Sequence, residues 1–272
     1  MGIFDGVLLL TDLDGTMLDD NKQIGAKTRE AVAYFQAEGG KFSAATGRLH
    51  RFFRPLEQGV PLNCPAVVCN GGYLYDYTTG EVFGMHTVSR DAEAVVEAVA
   101  ERFPEVCAEI NSFGTTYVRG WNEISAHHIS IMKLDPVHVS HASEAVEDWS
   151  KVLFTVPVSS AEALATYLRE NHPGYYYTFS TPEYFELMPP GANKGSAALE
   201  LAEHLGIRRE DVYCAGDHLN DLDMLRVSAC AYVPANARPE ALAIAGHVLP
   251  DNNHDPIAAL IEDLETKYRA RA

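Results

Sequence analysis

Residues 7–11 read Val-Leu-Leu-Leu-Thr, and the nine that follow, Asp12 to Asp20, hold four aspartates. An unbroken apolar run of this length, without polar alternation, is the pattern of a strand covered on both faces. Such strands belong to parallel sheets packed with helices, so the first element already points to an α/β core. The carboxylates that end the run cannot follow it inside. Asp12 and Asp14 flank a single leucine and repel one another, so the edge where this strand stops needs positive charge to complete it.

The segments that follow keep the alternation. Residues 26–38 place Ala31, Val32 and Phe35 at helical spacing and end at Gly39-Gly40. KFSAA at 41–45 and AVVC at 66–69 have strand character. The rhythm returns late, with a helix over 195–205, a strand at 212–215 and a short helix at 220–227. Strands at 229–233 and 247–249 follow, and Asp255-Pro256 reads as N-cap and first residue of a closing helix. This order predicts right-handed crossovers and a parallel sheet.

Residues 83–187 differ in texture. A helix over 89–103 carries Val95, Val96, Val99 and Phe103, and Ser159 with Glu162 predicts a capping box for a second helix, stapled by Val158. Around them run strand-like segments: TTYVRG at 115–120, HHISIMKL at 127–134, KVLFTVPV at 151–158, YYYTFS at 175–180 and YFELMP at 184–189. The expected organisation is an α/β core from residues 1–82 and 188–272, interrupted by an α+β insertion over 83–187.

Charge narrows the partners. Thirty-eight acidic against 21 basic residues give a net charge of −17, which disfavours nucleic acid and anionic membranes, since both demand clustered Lys and Arg. An anionic substrate would need a locally positive site. No apolar stretch reaches the roughly 20 residues of a spanning helix, and MGIFDGVLLLTD lacks the basic region of a secretion signal. Five cysteines without a CxxC pair predict free thiols in a reducing compartment. A cytoplasmic location is expected; the oligomeric state is left open.

In open parallel sheets, ligands bind beyond the carboxyl ends of the strands. The first strand runs into Asp12, Asp14, Gly15 and Thr16, and the second into Thr46-Gly47-Arg48. AVVC runs into Asn70-Gly71-Gly72, and 212–215 into Gly216-Asp217, with Asn220 and Asp221 just beyond. Singly these are turn signals. Together they place acidic groups at two strand ends. Asp12, Asp14, Asp217 and Asp221 cannot all stay ionised side by side without a cation, and an oxygen-rich, histidine-poor set suits Mg²⁺. Lys194, ahead of Gly195-Ser196 at a predicted helix start, adds an ammonium beside helix N–H donors, with Thr46 and Asn220 as further donors. The pattern is that of phosphoryl transfer.

These residues resemble, in order and spacing, the four motifs of the haloacid dehalogenase (HAD) superfamily. The motifs are DLDGT at 12–16, the hydroxyl of ATGR at 45–48, Lys194 in NKG, and GDHLND at 216–221. CNGG at 69–72, the ATGR form and the insertion between the second and third motifs are similar to its Cof-type sugar-phosphate phosphatase branch. The resemblance implies a Rossmann-like parallel-sheet core with an inserted, type IIB-like α+β cap. By the same resemblance, Asp12 would attack phosphorus as nucleophile, and Asp14 would protonate the leaving alcohol and then activate water. Mg²⁺ would be held by Asp12, the main-chain carbonyl of Asp14, Asp217 and Asp221, the last directly or through water. Thr46, Gly47, Lys194 and Asn220 would bind phosphoryl oxygens. Arg48, Asn70 and Gly71 would touch substrate or brace the loops, Thr16 would buttress its loop, and His127-His128 are ordinary cap residues. Pro234 in VPANA and Pro256 in DNNHDPIAAL depart from the family pattern, away from every proposed catalytic group.

The expected function is Mg²⁺-dependent hydrolysis of small phosphorylated metabolites, sugar phosphates foremost, through an aspartyl-phosphate. A mutase or phosphotransferase would use the same intermediate. A phospho-accepting signalling receiver is more remote, because its acceptor follows a middle strand and it carries no large insertion.

Overall fold

The computed structural model describes residues 2–55 and 59–270, so residues 1, 56–58 and 271–272 of the expected core lie outside the described residues. The first unit opens with β1 (Leu8–Thr11), α1 (Ala26–Ala37), β2 (Lys41–Ala44), β3 (Ala66–Val68), β4 (Tyr73–Tyr75) and β5 (Val82–Phe83). Residues 85–192 form a second compact unit. It contains α2 (Ala92–Arg102), β6 (Cys107–Ser112), β7 (Thr116–Arg119), α3 (Glu123–Met132), β8 (Val137–Val139), β9 (Trp149–Thr155), α4 (Val158–Asn171), β10 (Tyr176–Thr181) and β11 (Tyr184–Met188). The chain then returns to the first unit. There it adds α5 (Lys194–His204), β12 (Val212–Ala215), α6 (Leu222–Val227), β13 (Ala231–Pro234), α7 (Pro239–Leu242), β14 (His247–Leu249) and α8 (Pro256–Arg269).

The first unit is built on a five-stranded parallel sheet in the order β14-β13-β12-β1-β2. All four residues of β1 are buried, as an unbroken apolar run requires. From α5, Ala197, Ala198 and Leu201 pack on Leu8, Leu10, Val212 and Cys214. The closing helix α8 buries Ile257, Leu260, Ile261 and Leu264, an i, i+3, i+4, i+7 stripe. AVVC, expected among the parallel strands, lies outside this sheet: β3 pairs antiparallel with β4 and touches the main sheet through one parallel bridge, Ala45 to Val67.

In the second unit six strands run β10-β11-β9-β6-β7-β8, antiparallel except for β7 with β8. Val95, Val96 and Val99 of α2 and Leu164 and Leu168 of α4 cover Ile110, Val152, Phe154 and Phe185. Two expectations fail here. HHISIMKL does not form a strand, because Asn122 and Ser125 cap each other reciprocally and start α3, and Lys133 ends it in the left-handed conformation. Ser159 and Glu162 do not form a capping box, because α4 begins immediately after Pro157, which places Ser159 inside the first turn.

Asp255 also departs from its expected role. It occupies the position before Pro256, but with φ 52° and without a side-chain bond to its own helix. Its Oδ1 accepts instead from the backbone N–H of Thr28, 3.0 Å away in the first turn of α1. Gly25, at the N-cap of α1, has no side chain for the task, so a distant carboxylate satisfies one of that helix's orphan donors. Asp255→Ala is expected to lower stability by about 1–2 kcal/mol. Hydrogen exchange should quicken at Thr28; protection lost only in α8 would refute this cross-helix cap.

Candidate active site

β1 and β12 are neighbours, with Thr11 opposite Ala215, and the N–H of Asp12 donates to the carbonyl of Ala215 at 2.8 Å. The loops that leave these strands therefore open at one sheet edge. Asn193 and Ser196 cap each other at the start of α5, and Lys194 is the first residue of that helix. Its side chain is fully buried, and Nζ donates to Asp12 Oδ1 and to Asp221 Oδ1, both at 2.6 Å. Asp221 accepts at Oδ2 from the backbone N–H groups of Asp217 and His218, each at 3.0 Å. Thr16 Oγ1 donates to Asp217 Oδ1 at 2.7 Å, the buttress expected of it.

Asp12, Asp217 and Asp221 each offer a carboxylate oxygen within 4.8 Å of the others. Three carboxylates share one ammonium, and the crowding has a cost at Asp12 and Asp217. Burial raises Asp12 well above the usual carboxylate range, with Lys194 opposing and Asp221 and Asp217 adding to the rise. Burial and the charge of Asp221 push Asp217 up to about 7. Burial works against the charge of Lys194, yet Asp12 and Asp221 outweigh it and hold the ammonium firmly protonated. An all-oxygen donor set with two negative charges uncompensated fits a divalent cation.

Four grouped aspartates were expected; the carboxylate of Asp14 stands outside the three that converge, although its charge still reaches Asp217. The Asp14 carboxylate, 43% exposed, meets Arg48 at 2.7 Å and Lys22 at 2.9 Å. Burial favours its neutral form, but Arg48 and Lys22 prevail and hold it below the ordinary range. Two cations satisfy it at a place where a fourth carboxylate beside Asp12 would only add repulsion. Gly15, directly after Asp14, turns the chain at φ 86°, and a β-carbon there would lie 2.6 Å from Asp217 Oδ2.

The remaining donors line adjacent loops. Thr46 is buried and its Oγ1 accepts from the N–H of Arg48 at 3.2 Å, which leaves the hydroxyl hydrogen for another acceptor. Asn220 donates from Nδ2 to Asn70 Oδ1 at 3.0 Å. Gly47 lies against the Asn70 amide, and Gly71 against the start of α5. His128 pairs with the buried Glu109 at 2.8 Å in the second unit. Two residues of the site were not among those expected: Lys22, a single basic residue that follows two aspartates and an asparagine, and Asn236, whose Nδ2 donates to the Gly15 carbonyl at 2.8 Å. No helix among the described residues is long and apolar enough to cross a membrane.

Residues 9–261 match the family of haloacid dehalogenase-like hydrolases. The putative phosphatase YxeH of Bacillus subtilis is 27% identical over 271 residues, covering 94% of this chain and 97% of that protein. The pyridoxal phosphate phosphatase YbhA of Escherichia coli is also 27% identical over 271 residues, covering 93% and 97%. Among solved structures, the HAD subclass IIB sugar phosphatase BT4131 superposes with a TM-score of 0.84 at 20% identity, over 95% of this chain and 99% of that one. With a parallel-sheet core, a mixed-sheet insertion and the carboxylate–lysine cluster at the core's edge, the chain belongs to the haloacid dehalogenase-like hydrolase family.

Proposed function

We propose that this hydrolase is a Mg²⁺-dependent phosphatase for small phosphorylated metabolites, with sugar phosphates the favoured class. The observation that carries the reading is the buried Lys194 ammonium bridging Asp12 and Asp221 beside Asp217. It holds a carboxylate in place as nucleophile and brings positive charge to where a phosphate would sit. The relatives named above as phosphatases act in the same chemical class, one of them on pyridoxal phosphate.

In this reading Asp12 attacks phosphorus with a carboxylate oxygen, and the bond to the leaving alcohol breaks as Asp14 delivers it a proton. Asp14 then takes a proton from water, the water oxygen bonds to phosphorus, and the Asp12–phosphorus bond breaks to free phosphate and restore the carboxylate. The second step suits Asp14 as the structure holds it, ionised between Arg48 and Lys22. The first requires Asp14 to leave that clamp and to carry a proton, which it regains from water in the second step. Thr46, Gly47, Lys194 and Asn220 bind the phosphoryl oxygens, and Arg48 contacts substrate or Asp14 by turns. Asp12, Asp217 and the carbonyl of Asp14 would hold Mg²⁺, which would supply positive charge against the phosphoryl group. Asp221 stands behind them, since both its oxygens already accept from the protein.

A screen of phosphorylated metabolites for Mg²⁺-dependent phosphate release tests the assignment, and transfer without free phosphate would make the enzyme a mutase. Asp12→Asn is expected to cut kcat by roughly 10⁴–10⁶-fold in a protein whose circular dichroism is unchanged; retained turnover would remove Asp12 as nucleophile.

Proton and cation compete for Asp217. In the unfolded chain it titrates near the ordinary value of about 4, whereas the fold raises it to about 7. Without the cation, the neutral form contributes stability that is fully present below about 4 and is lost as pH rises through about 7. Mg²⁺ needs the ionised form. Asp12 is raised as well, so the affinity for Mg²⁺ by calorimetry is expected to fall at least about tenfold per pH unit below about 7. An affinity unchanged between pH 5 and pH 8, on the order of no slope at all, would exclude Asp217 as a ligand.

A further inference from the structure

We propose that Asn70 is a positioning residue for phosphoryl transfer, holding the Asn220 amide so that one of its N–H bonds is committed to the phosphoryl group. The proposal rests on the assignment of Asn220 to the phosphate.

The backbone around Asn70 is unusual. Cys69 and Asn70 both have φ 53°, and Gly71 follows at φ 89°. Left-handed backbone costs a residue other than glycine, asparagine or aspartate about 1–2 kcal/mol, so Cys69 carries the strain here, and such strain persists only where the surroundings enforce it. Here they do. The N–H of Cys69 donates to the Arg48 carbonyl at 2.8 Å, and that of Asn70 to the Thr46 carbonyl at 2.9 Å. On the other side the turn presses on α5: a β-carbon on Gly71 would stand 2.1 Å from the Asn193 carbonyl oxygen and 2.9 Å from the Lys194 nitrogen.

The Asn70 side chain, 1% exposed, completes the bracing. Its Oδ1 accepts from Asn220 Nδ2 at 3.0 Å. A β-carbon on Gly47 would lie 3.1 Å from its Nδ2, so the amide runs along the backbone of the Thr46 loop. One strained turn thus touches the loop of Thr46, the helix start that carries Lys194 and the side chain of Asn220.

A primary amide has two N–H bonds fixed in one plane. With one held by Asn70, the direction of the other is set, and so is the identity of the amide end that faces an anion. Without Asn70, the Asn220 amide can rotate and present its carbonyl oxygen to the phosphate, which repels it. The loss belongs to the transition state, where donors must already point at the growing charge.

The test is a double-mutant cycle on Mg²⁺-dependent hydrolysis of p-nitrophenyl phosphate, with orthovanadate inhibition as a second readout. Asn70→Gly is the variant of choice, because glycine accepts the left-handed backbone without strain. Asn220→Ala is expected to lower kcat/KM by about 10²-fold. Asn70→Gly should lower kcat by about tenfold with KM within about twofold, and weaken vanadate in proportion. In the Asn220→Ala background, Asn70→Gly should cost no more than about twofold further. Asn70→Asp keeps an acceptor for Asn220 and the same backbone preference, so kcat should recover to within about threefold of the parent while KM rises. If Asn220→Ala leaves activity intact, the phosphate assignment falls and the proposal with it. If Asn220→Ala is impaired but Asn70→Gly exacts its full factor in the double variant, or none in the parent, or if Asn70→Asp is as slow as Asn70→Gly, Asn70 does not act through Asn220.

Discussion

A single buried ammonium fixes the site. Lys194 Nζ reaches Asp12 and Asp221 at 2.6 Å with no solvent exposure of its side chain. On a surface such a contact would contribute about 0–1 kcal/mol. Inside, removing one partner leaves an uncompensated charge and costs about 3–5 kcal/mol. The consequences run outward from this atom. With Asp221 anchored at Oδ1, its Oδ2 is aimed at the N–H groups of Asp217 and His218, which shapes that loop. Asp217 is then in place to accept from Thr16, which ties the loop back to the strand bearing Asp12.

The topology makes this closure possible. From β1 the chain moves to β2 on one side and returns through β12 on the other. The carboxyl ends of β1 and β12 then border the crevice where open α/β sheets bind ligands. Asp12 and Lys194 are 182 residues apart in sequence, with the whole second unit between them. The insertion can vary without moving the cluster, because every member of that cluster stands on the first unit.

What the sequence disclosed, and what it did not, follows from the range of each interaction. Leu8–Thr11 was legible because a strand buried on both faces leaves a mark in adjacent residues. The Lys194 helix start was legible for the same reason, since Asn193 and Ser196 cap within one turn. HHISIMKL misled because Ile129 and Ile131 around Ser130 mimic strand alternation, while the deciding cap at Asn122 lies upstream of the segment. Asp255 misled because an Asp-Pro pair has the local look of an N-cap, whereas its carboxylate answers a need 227 residues away. The Asp14 clamp was hidden for a related reason. Nothing near Asp14 announces that Lys22 will turn back on it at φ 61° and that Arg48 will arrive from the next strand.

The cluster is poorly suited to stability, and that is itself informative. Replacing Asp217 with a neutral side chain would relieve repulsion that lifts both Asp12 and Asp217, and glycine would sit more easily than Cys69 at its left-handed position. Strain of both kinds at one sheet edge is what a fold retains where function needs it. A cation that binds only the folded chain turns the first kind into a gain, because its binding free energy adds to that of folding. Charge repulsion in the resting cluster and affinity for a divalent ion are then one property: the closer the carboxylates are forced together, the more the ion stabilises them. The bracing by Lys194 limits how far that can go, because it cancels one charge and keeps the other two within reach of a single ion.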